Sequence, residues 1–85
     1  MKNNEKSRIL WACRRGMLEL DIIIMRFFKK KYDHISYHQQ KLFIELLKCD
    51  DIDLFNWIIN RHKPQNIKLQ HIIQLIHQNN SLYYI

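Results

Sequence analysis

The chain has 85 residues, enough for one small domain, and 47% of them are hydrophobic, which suffices for a single core. Its formal net charge is +6, and it contains one glycine and one proline. At average usage about six glycines would be expected. This shortage of turn-forming residues excludes a fold made of many β-hairpins and favours helices joined by short polar links.

The N-terminal residues have charge but no apolar run behind them, so we expect no signal peptide. No stretch approaches the roughly 20 apolar residues that span a bilayer. We therefore expect a cytoplasmic protein that does not insert into a membrane. Cys13 and Cys49 lie in neither metal nor redox spacing, and we expect both to be free, buried, small hydrophobic residues.

The first two helices are predicted from apolar spacing. Helix one is expected over residues 5–15, with a buried stripe made by Ile9, Leu10 and Cys13. A different face of this helix carries Arg8, Trp11 and Arg15. Helix two is expected over residues 17–31 and should be central, because two overlapping stripes run along it. The stripe residues are Leu18, Ile22, Met25 and Phe28, widened by Leu20, Ile23, Ile24 and Phe27.

Three further helices are predicted from their capping residues. Helix three begins at Ser36, with Gln39 three residues on as in a capping box, and helix four begins at Asp50 or Asp51. Asn66 caps the last helix, and a C-terminal tail follows from residue 79. The expected core positions are Leu42, Phe43, Leu46, Leu47, Leu54, Trp57, Ile58, Leu69, Ile72, Ile73 and Ile76, with Arg61 continuing the spacing of helix four. The sequence therefore predicts an all-α protein, one five-helix bundle over residues 1–85.

The single glycine lies between the first two helices. Gly16 is expected to take a positive φ as the C′ residue that ends helix one, so that helix two leaves at once without a loop. Arg14 and Arg15 then lie at a negative helix end, and Glu19 and Asp21 lie near a positive one. This interpretation explains the glycine by structure alone.

A functional interpretation uses the same corner. Arg15 and Glu19 would stand on two helix ends at a tight turn whose apex, Gly16, admits close approach by another backbone. Trp11 flanks the pair, and aromatic residues with arginines are common anchors of protein interfaces. The corner is therefore also predicted to be a compact interaction site.

Other site chemistries have weaker support. Aromatic residues interrupt a basic run over 26–32, as on a nucleic-acid platform, but lysines also offset the dipole at a helix end. Residues 50–57 lack the glycine and glutamate of a calcium loop. His34 and His38 have no third zinc ligand nearby. No glycine-rich phosphate loop or nucleophile signature is present, so we expect a protein that is not an enzyme and holds no metal.

Two segments carry a resemblance to a known family. The stretches "ACRRGMLELDIIIMRFF" and "LLKCDDIDLFNWI" are similar to the two shared regions of the SdhE family of flavinylation assembly factors, called succinate dehydrogenase assembly factor 2 in mitochondria. The family signature is an arginine–glycine pair with a glutamate three positions later, which here is Arg15, Gly16 and Glu19. The resemblance covers residues from about 8 to 75.

The resemblance implies a small five-helix protein that binds the flavoprotein subunit of succinate dehydrogenase and, in bacteria, that of fumarate reductase. It implies that the protein promotes covalent attachment of FAD to a histidine of that client. The sequence itself contains no recognisable dinucleotide site, so we expect no tight binding of FAD. We expect a monomer that contacts no nucleic acid. The implied partner-binding residues are Arg8, Trp11, Arg14, Arg15, Gly16, Glu19 and Asp21.

Two alternatives stay open at this point. Bacterial members of the family have also been described as antitoxins, whose partner would be a membrane toxin or cytoskeletal proteins. A small helix-turn-helix DNA binder is the other alternative, because Gln70, Gln74 and Gln78 share one face of the last helix. The net positive charge is higher than the family leads us to expect, but none of the lysines that contribute to it lies in the signature.

Overall fold

The computed structural model describes residues 2–81, with side chains from Glu5 onward. Within that range the secondary structure is helical and contains no strand. The elements are α1 (Lys2–Ala12), α2 (Leu18–Lys31), a 3₁₀ turn (Tyr32–His34), α3 (Tyr37–Leu47), α4 (Asp51–Ile58) and α5 (Ile67–Ser81). The radius of gyration is 12.0 Å, matching the value of about 12 Å expected for a compact domain of this length. The prediction of a five-helix, all-α fold is confirmed.

The core forms where α5 packs against α2, α3 and α4, while α2 also contacts α4. Each of these helices contributes side chains that are fully shielded from solvent. The largest are Phe27, Phe43, Leu20, Ile24, Leu46, Leu54, Ile72 and Ile76. Burying a side chain of this size contributes about 1.5–3 kcal/mol, so the packing of these four helices holds the fold together.

An aromatic cluster joins α2 to α3. The ring of Phe43 lies 5.4 Å from that of Phe27 in a tilted arrangement and 6.1 Å from that of Phe28 in a stacked one. The Tyr32 ring, from the 3₁₀ turn, lies 5.9 Å from the Phe43 ring. Such pairs add about 0.5–1.5 kcal/mol each beyond the area they bury. The phenylalanines of the basic run 26–32 therefore belong to the core and not to a stacking platform.

Two of the predicted caps are confirmed. The Ser36 hydroxyl accepts a hydrogen bond from the Gln39 N–H at 3.1 Å, and the Gln39 side chain accepts from the Ser36 N–H at 2.9 Å. Asn66 Oδ1 accepts from the Lys68 N–H at 2.8 Å at the start of α5. The predicted start of α4 is confirmed, because Asp50 stands at the N-cap position, but its side chain makes no cap hydrogen bond.

Helix α2 differs from its prediction in the face that it buries. Leu18 is 78% exposed and Ile22 is 40% exposed, although both were expected in the main core stripe. Leu20, Ile23, Ile24 and Phe27 form the buried face instead. A helix with apolar residues on nearly all sides cannot bury every one of them against a single set of neighbours. Two large apolar residues are consequently left on the surface beside the signature.

Three helix ends also differ from the predictions. α1 ends at Ala12 and not at Arg15, so five residues separate it from α2. Arg61 lies beyond α4 with a φ of 60°, and it does not continue the helix. The expected tail from residue 79 is helical as far as Ser81, with Asn79 and Asn80 buried, and its last four residues lie outside the described range. Between residues 2 and 81, none of the helices combines the length and the apolar character needed to cross a bilayer.

Candidate partner-binding site

The link between α1 and α2, residues 13–17, is short and internally held. The Cys13 and Arg14 amides still donate to carbonyls of the last turn of α1, at 3.1 Å each. Gly16 then takes a φ of +80°, a conformation that costs a residue with a Cβ about 1–2 kcal/mol. The predicted positive φ is confirmed. The prediction that Gly16 directly ends helix one is wrong, because the glycine comes four residues after Ala12.

Asp21 fixes this link from the first turn of α2. One carboxylate oxygen accepts from the Arg15 N–H at 2.8 Å, and the other accepts from the Gly16 N–H at 3.1 Å. Hydrogen bonds to a charged acceptor are roughly twice as strong as neutral ones. Asp21 is half-buried, and both of its oxygens are engaged inside the chain. Its role in the structure is therefore to shape the link.

The Arg15 side chain turns inward to the junction of α3 and α4. Its guanidinium donates to the Cys49 carbonyl at 3.2 Å and also to the Leu47 carbonyl. It pairs with the Asp51 carboxylate at 3.0 Å, and only 13% of the Arg15 side chain is exposed. The last carbonyls of a helix lack partners within it, so Arg15 satisfies the end of α3. The sequence predicts that Arg15 offers its guanidinium to a partner, but in the structure this group is engaged within the chain.

Four residues with exposed side chains surround the link and, with Gly16, form what we call the signature surface. Trp11 is 70% exposed, and the Arg14 guanidinium lies 5.7 Å from the centre of its ring. Arg8 and Glu19 are exposed as well. A Cβ placed on Gly16 would meet no atom within 4 Å. The space beside Gly16 is therefore open, and within the chain only the positive φ requires a glycine at this position.

Leu18 and Ile22 extend the signature surface along α2, although apolar spacing predicts both in the core. They stand four residues apart, which puts them on one face of the helix, and Glu19 follows Leu18 directly. Exposed large apolar residues beside charged ones are characteristic of interaction sites. One feature of the sequence indicates that some apolar side chains of α2 stay exposed. Eight of its fourteen residues are apolar, which is more than one buried face needs.

Both cysteines lie near the link and neither is activated. Cys13 is fully buried, which raises the pKa of its thiol to about 12, although Arg15 acts in the opposite direction. Burial also raises the pKa of the half-buried Cys49 thiol, with Asp53 adding to the effect. Both thiols therefore stay protonated at neutral pH and are poor nucleophiles. The prediction that they are free is confirmed, and Cys49 is less buried than expected.

The remaining candidates do not assemble into sites. Within residues 2–81 no three histidine, cysteine or acidic side chains group as metal ligands. Gln70 is half-buried and donates to the Pro64 carbonyl at 2.7 Å, while Gln74 and Gln78 are exposed. Because Gln70 is committed to the chain, the three glutamines do not form the free polar face that a DNA-reading helix needs.

Comparison with known proteins gives one consistent result. Residues 7–80 match the family model described as Sdh5, flavinator of succinate dehydrogenase. The chain is 51% identical over 80 residues to the FAD assembly factor SdhE of Yersinia pestis and 52% identical to that of Photorhabdus laumondii subsp. laumondii. Each alignment covers 94% of this chain and 91% of the relative.

A solved structure agrees with these matches. The solution structure of a UPF0350 protein superposes with a TM-score of 0.77 and 41% sequence identity, and the match covers 95% of this chain and 86% of that one. The fold, the signature residues and the full-length similarity point the same way. The chain belongs to the Sdh5/SdhE family of FAD assembly factors.

Proposed function

We propose that this protein binds the flavoprotein subunit of succinate dehydrogenase or fumarate reductase in the cytoplasm and promotes covalent attachment of FAD to it. The observation that carries the proposal is the signature surface, where Glu19 and Trp11 stand exposed around a link that Asp21 holds by two hydrogen bonds. The names of the relatives, FAD assembly factor and flavinator of succinate dehydrogenase, support it. None of these relatives is named an antitoxin, so that alternative has no support.

The signature residues divide into two groups on this proposal. Arg15 and Asp21 build the surface, because their charged groups are consumed by contacts within the chain. The contact residues are the ones that remain exposed, namely Arg8, Trp11, Arg14, Gly16, Leu18, Glu19 and Ile22. The proposal thus keeps five of the seven predicted contact residues and adds Leu18 and Ile22. Arg15 and Asp21 are assigned to holding the link instead.

The expected mode of action is orientation of the client. The bond-forming groups are the flavin and the acceptor histidine, both in the client protein, and the helper acts as a monomer that holds no FAD tightly. A helper shifts a client between two conformations only if it binds one of them better. Positioning two reacting groups correctly can supply about 7–11 kcal/mol of a reaction barrier. A compact surface with an aromatic anchor and a carboxylate suits such a dissociable helper.

The test is covalent flavin fluorescence of the denatured flavoprotein subunit in a gel. The client is co-expressed, in cells that lack their own factor, with the wild type, with Glu19→Arg, with Glu5→Arg or with no helper. Glu5 is a matched control because it is also an exposed acid in the first turn of a helix. Each charge reversal therefore costs a similar helix-dipole preference, about 0.3–1 kcal/mol.

We expect fluorescence with the wild type and with Glu5→Arg, and little with Glu19→Arg or without a helper. Full fluorescence with a folded Glu19→Arg protein would remove the signature surface from the proposal. Equal fluorescence in all lanes, including the lane without a helper, would show that this client needs no assistance and would count against the proposed function.

A further inference from the structure

The acidic residues are distributed unevenly along the chain. All eight lie at or before Asp53, and residues 54–85 contain none. The same stretch carries Arg61, Lys63 and Lys68 together with His62, His71 and His77. The part of the fold made by the α4–α5 link and α5 is therefore cationic without local acids to pair with.

A cleft of about 310 Å³ opens where the α4–α5 link faces α5. On the link side it is lined by Arg61, His62 and Lys63, and on the α5 side by Gln70, Gln74 and His77. We call these six residues the basic cleft. Positions 70, 74 and 77 repeat at helical spacing, so one face of α5 supplies them all.

The backbone around the basic cleft is held in place. The His62 N–H donates to the Asn56 carbonyl at 2.9 Å, and the Gln70 side chain donates to the Pro64 carbonyl at 2.7 Å. His77 Nε2 donates to the Ile58 carbonyl at 3.0 Å, which ties α5 to the end of α4. The cleft is thus a formed feature of the fold, with its two walls joined by hydrogen bonds.

Its charged groups, in contrast, are not used by the fold. Neither the Arg61 guanidinium nor the Lys63 ammonium hydrogen-bonds or ion-pairs with any residue that the structure describes. Arg61 also holds a φ of 60°, which is uncommon for a residue with a side chain and often accompanies a binding role. The cationic groups of Arg61 and Lys63 are therefore available to bind an anion.

We propose that the basic cleft binds the phosphate group of a small molecule. Donors reach the cleft from several directions, as a tetrahedral oxyanion with several acceptor oxygens requires. They are the Arg61 guanidinium, the Lys63 ammonium, the His62 ring and the Gln74 amide. The His77 Nε2 already donates to the Ile58 carbonyl, so this ring lines the cleft without donating to the ligand. The cleft is larger than one phosphate group needs. Pro64 and Ile73 line the remainder with apolar surface, which favours a phosphomonoester over the free anion.

This site is separate from the signature surface. Asp51, the partner of Arg15, is the first residue of α4, whereas Ile58, the partner of His77, is its last. An eight-residue helix is about 12 Å long, so the two sites lie at opposite ends of α4. The proposal therefore stands or falls independently of the proposed function.

The test is a titration of the ¹⁵N-labelled full chain, followed by amide NMR, with inorganic phosphate and with phenyl phosphate at constant ionic strength. The cleft variant is Arg61→Asn with Lys63→Gln, because asparagine tolerates a positive φ and the fold is kept. The control, Lys29→Gln with Lys30→Gln, removes the same charge from exposed positions at the end of α2. Lys63→Gln alone serves if the double variant does not fold.

We expect saturable shifts confined to residues 61–64 and 70–77, with affinity weakened about tenfold or more in the cleft variant and unchanged in the control. Tighter binding of phenyl phosphate than of inorganic phosphate would support a phosphomonoester as the ligand. Equal or weaker binding would overturn the preference for an ester. Shifts spread over all basic segments without saturation, or equal affinity in the cleft variant and the wild type, would overturn the proposal.

Discussion

The guanidinium of Arg15 lies 3.0 Å from the carboxylate of Asp51 and so joins the two sequence blocks that carry the family resemblance. The same side chain donates to the carbonyls of Leu47 and Cys49. One residue of the signature thus fixes the α1–α2 link against the junction of α3 and α4. This contact explains why the two blocks, far apart in sequence, act as one structural unit.

Replacing Arg15 should therefore destabilise the fold. Arg15→Gln leaves the carbonyls of Leu47 and Cys49 and one carboxylate without their partner, which should lower the free energy of unfolding by about 2–3 kcal/mol. Arg15→Lys should fall between this variant and the wild type, since an ammonium lacks the planar fork. Urea unfolding measures the effect. The control is Arg14→Gln, at an exposed neighbouring residue, which should stay within about 0.5 kcal/mol of the wild type. An Arg15→Gln variant as stable as the wild type would contradict the structural role of Arg15.

Asp21 should protect two backbone amides from exchange. Asp21→Asn keeps one acceptor oxygen in place of two, so we expect faster hydrogen exchange at Arg15 and Gly16 and a stability loss of about 1–2 kcal/mol. Amide exchange followed by NMR reads the two sites directly. Glu19→Gln is the matched control, because Glu19 lies in the same helix turn but is exposed. Unchanged protection in Asp21→Asn would mean that the link is held by other contacts.

Leu18 and Leu20, two residues apart on α2, should respond in opposite ways. Leu18 is 78% exposed, so Leu18→Ala should leave the free energy of unfolding within about 0.5 kcal/mol of the wild type while weakening client binding. Leu20 is fully buried, and Leu20→Ala should cost about 2–5 kcal/mol. Urea unfolding and affinity for the purified flavoprotein subunit separate the two effects. A Leu18→Ala variant that binds the client normally would exclude Leu18 from the contact surface.

These residues also mark how far sequence reasoning reaches. The caps at Ser36 and Asn66 depend on contacts within three residues, and the sequence predicts them correctly. The choice between Leu18 and Leu20 depends on which face of α2 meets α5 and α4, and apolar spacing alone does not decide it. The predicted end of α1 at Arg15 is wrong because it also depends on contacts with distant parts of the chain.

The misplaced end of α1 has a nonlocal cause. α1 stops at Ala12 while the Arg15 side chain reaches the α3–α4 junction and Asp21 holds the amides of Arg15 and Gly16. The Arg15 guanidinium also engages the carboxylate of Asp51, which the sequence offers as one of two caps of α4. The sequence predicts which residues lie around the link, whereas the tertiary structure shows which of their side chains are exposed and which are engaged within the chain.

His77 should make the stability depend on pH. Its partial burial lowers the pKa of the imidazole below the ordinary 6.5, and Arg61 lowers the pKa further, against the hydrogen bond to Ile58, which raises it. The unfolded chain then binds a proton more readily than the folded one. The free energy of unfolding therefore keeps the full contribution of His77 above about pH 6.5 and loses it as the pH falls toward the lower folded-state pKa.

Urea unfolding at several pH values between about 7.5 and 5 measures this contribution. In His77→Gln the decline with falling pH should be shallower than in the wild type, although the variant is less stable at neutral pH because the bond to the Ile58 carbonyl is altered. His38→Gln is the control, since His38 is an exposed histidine on α3, and its decline should match the wild type. An equally steep decline in His77→Gln would assign the pH dependence to other groups.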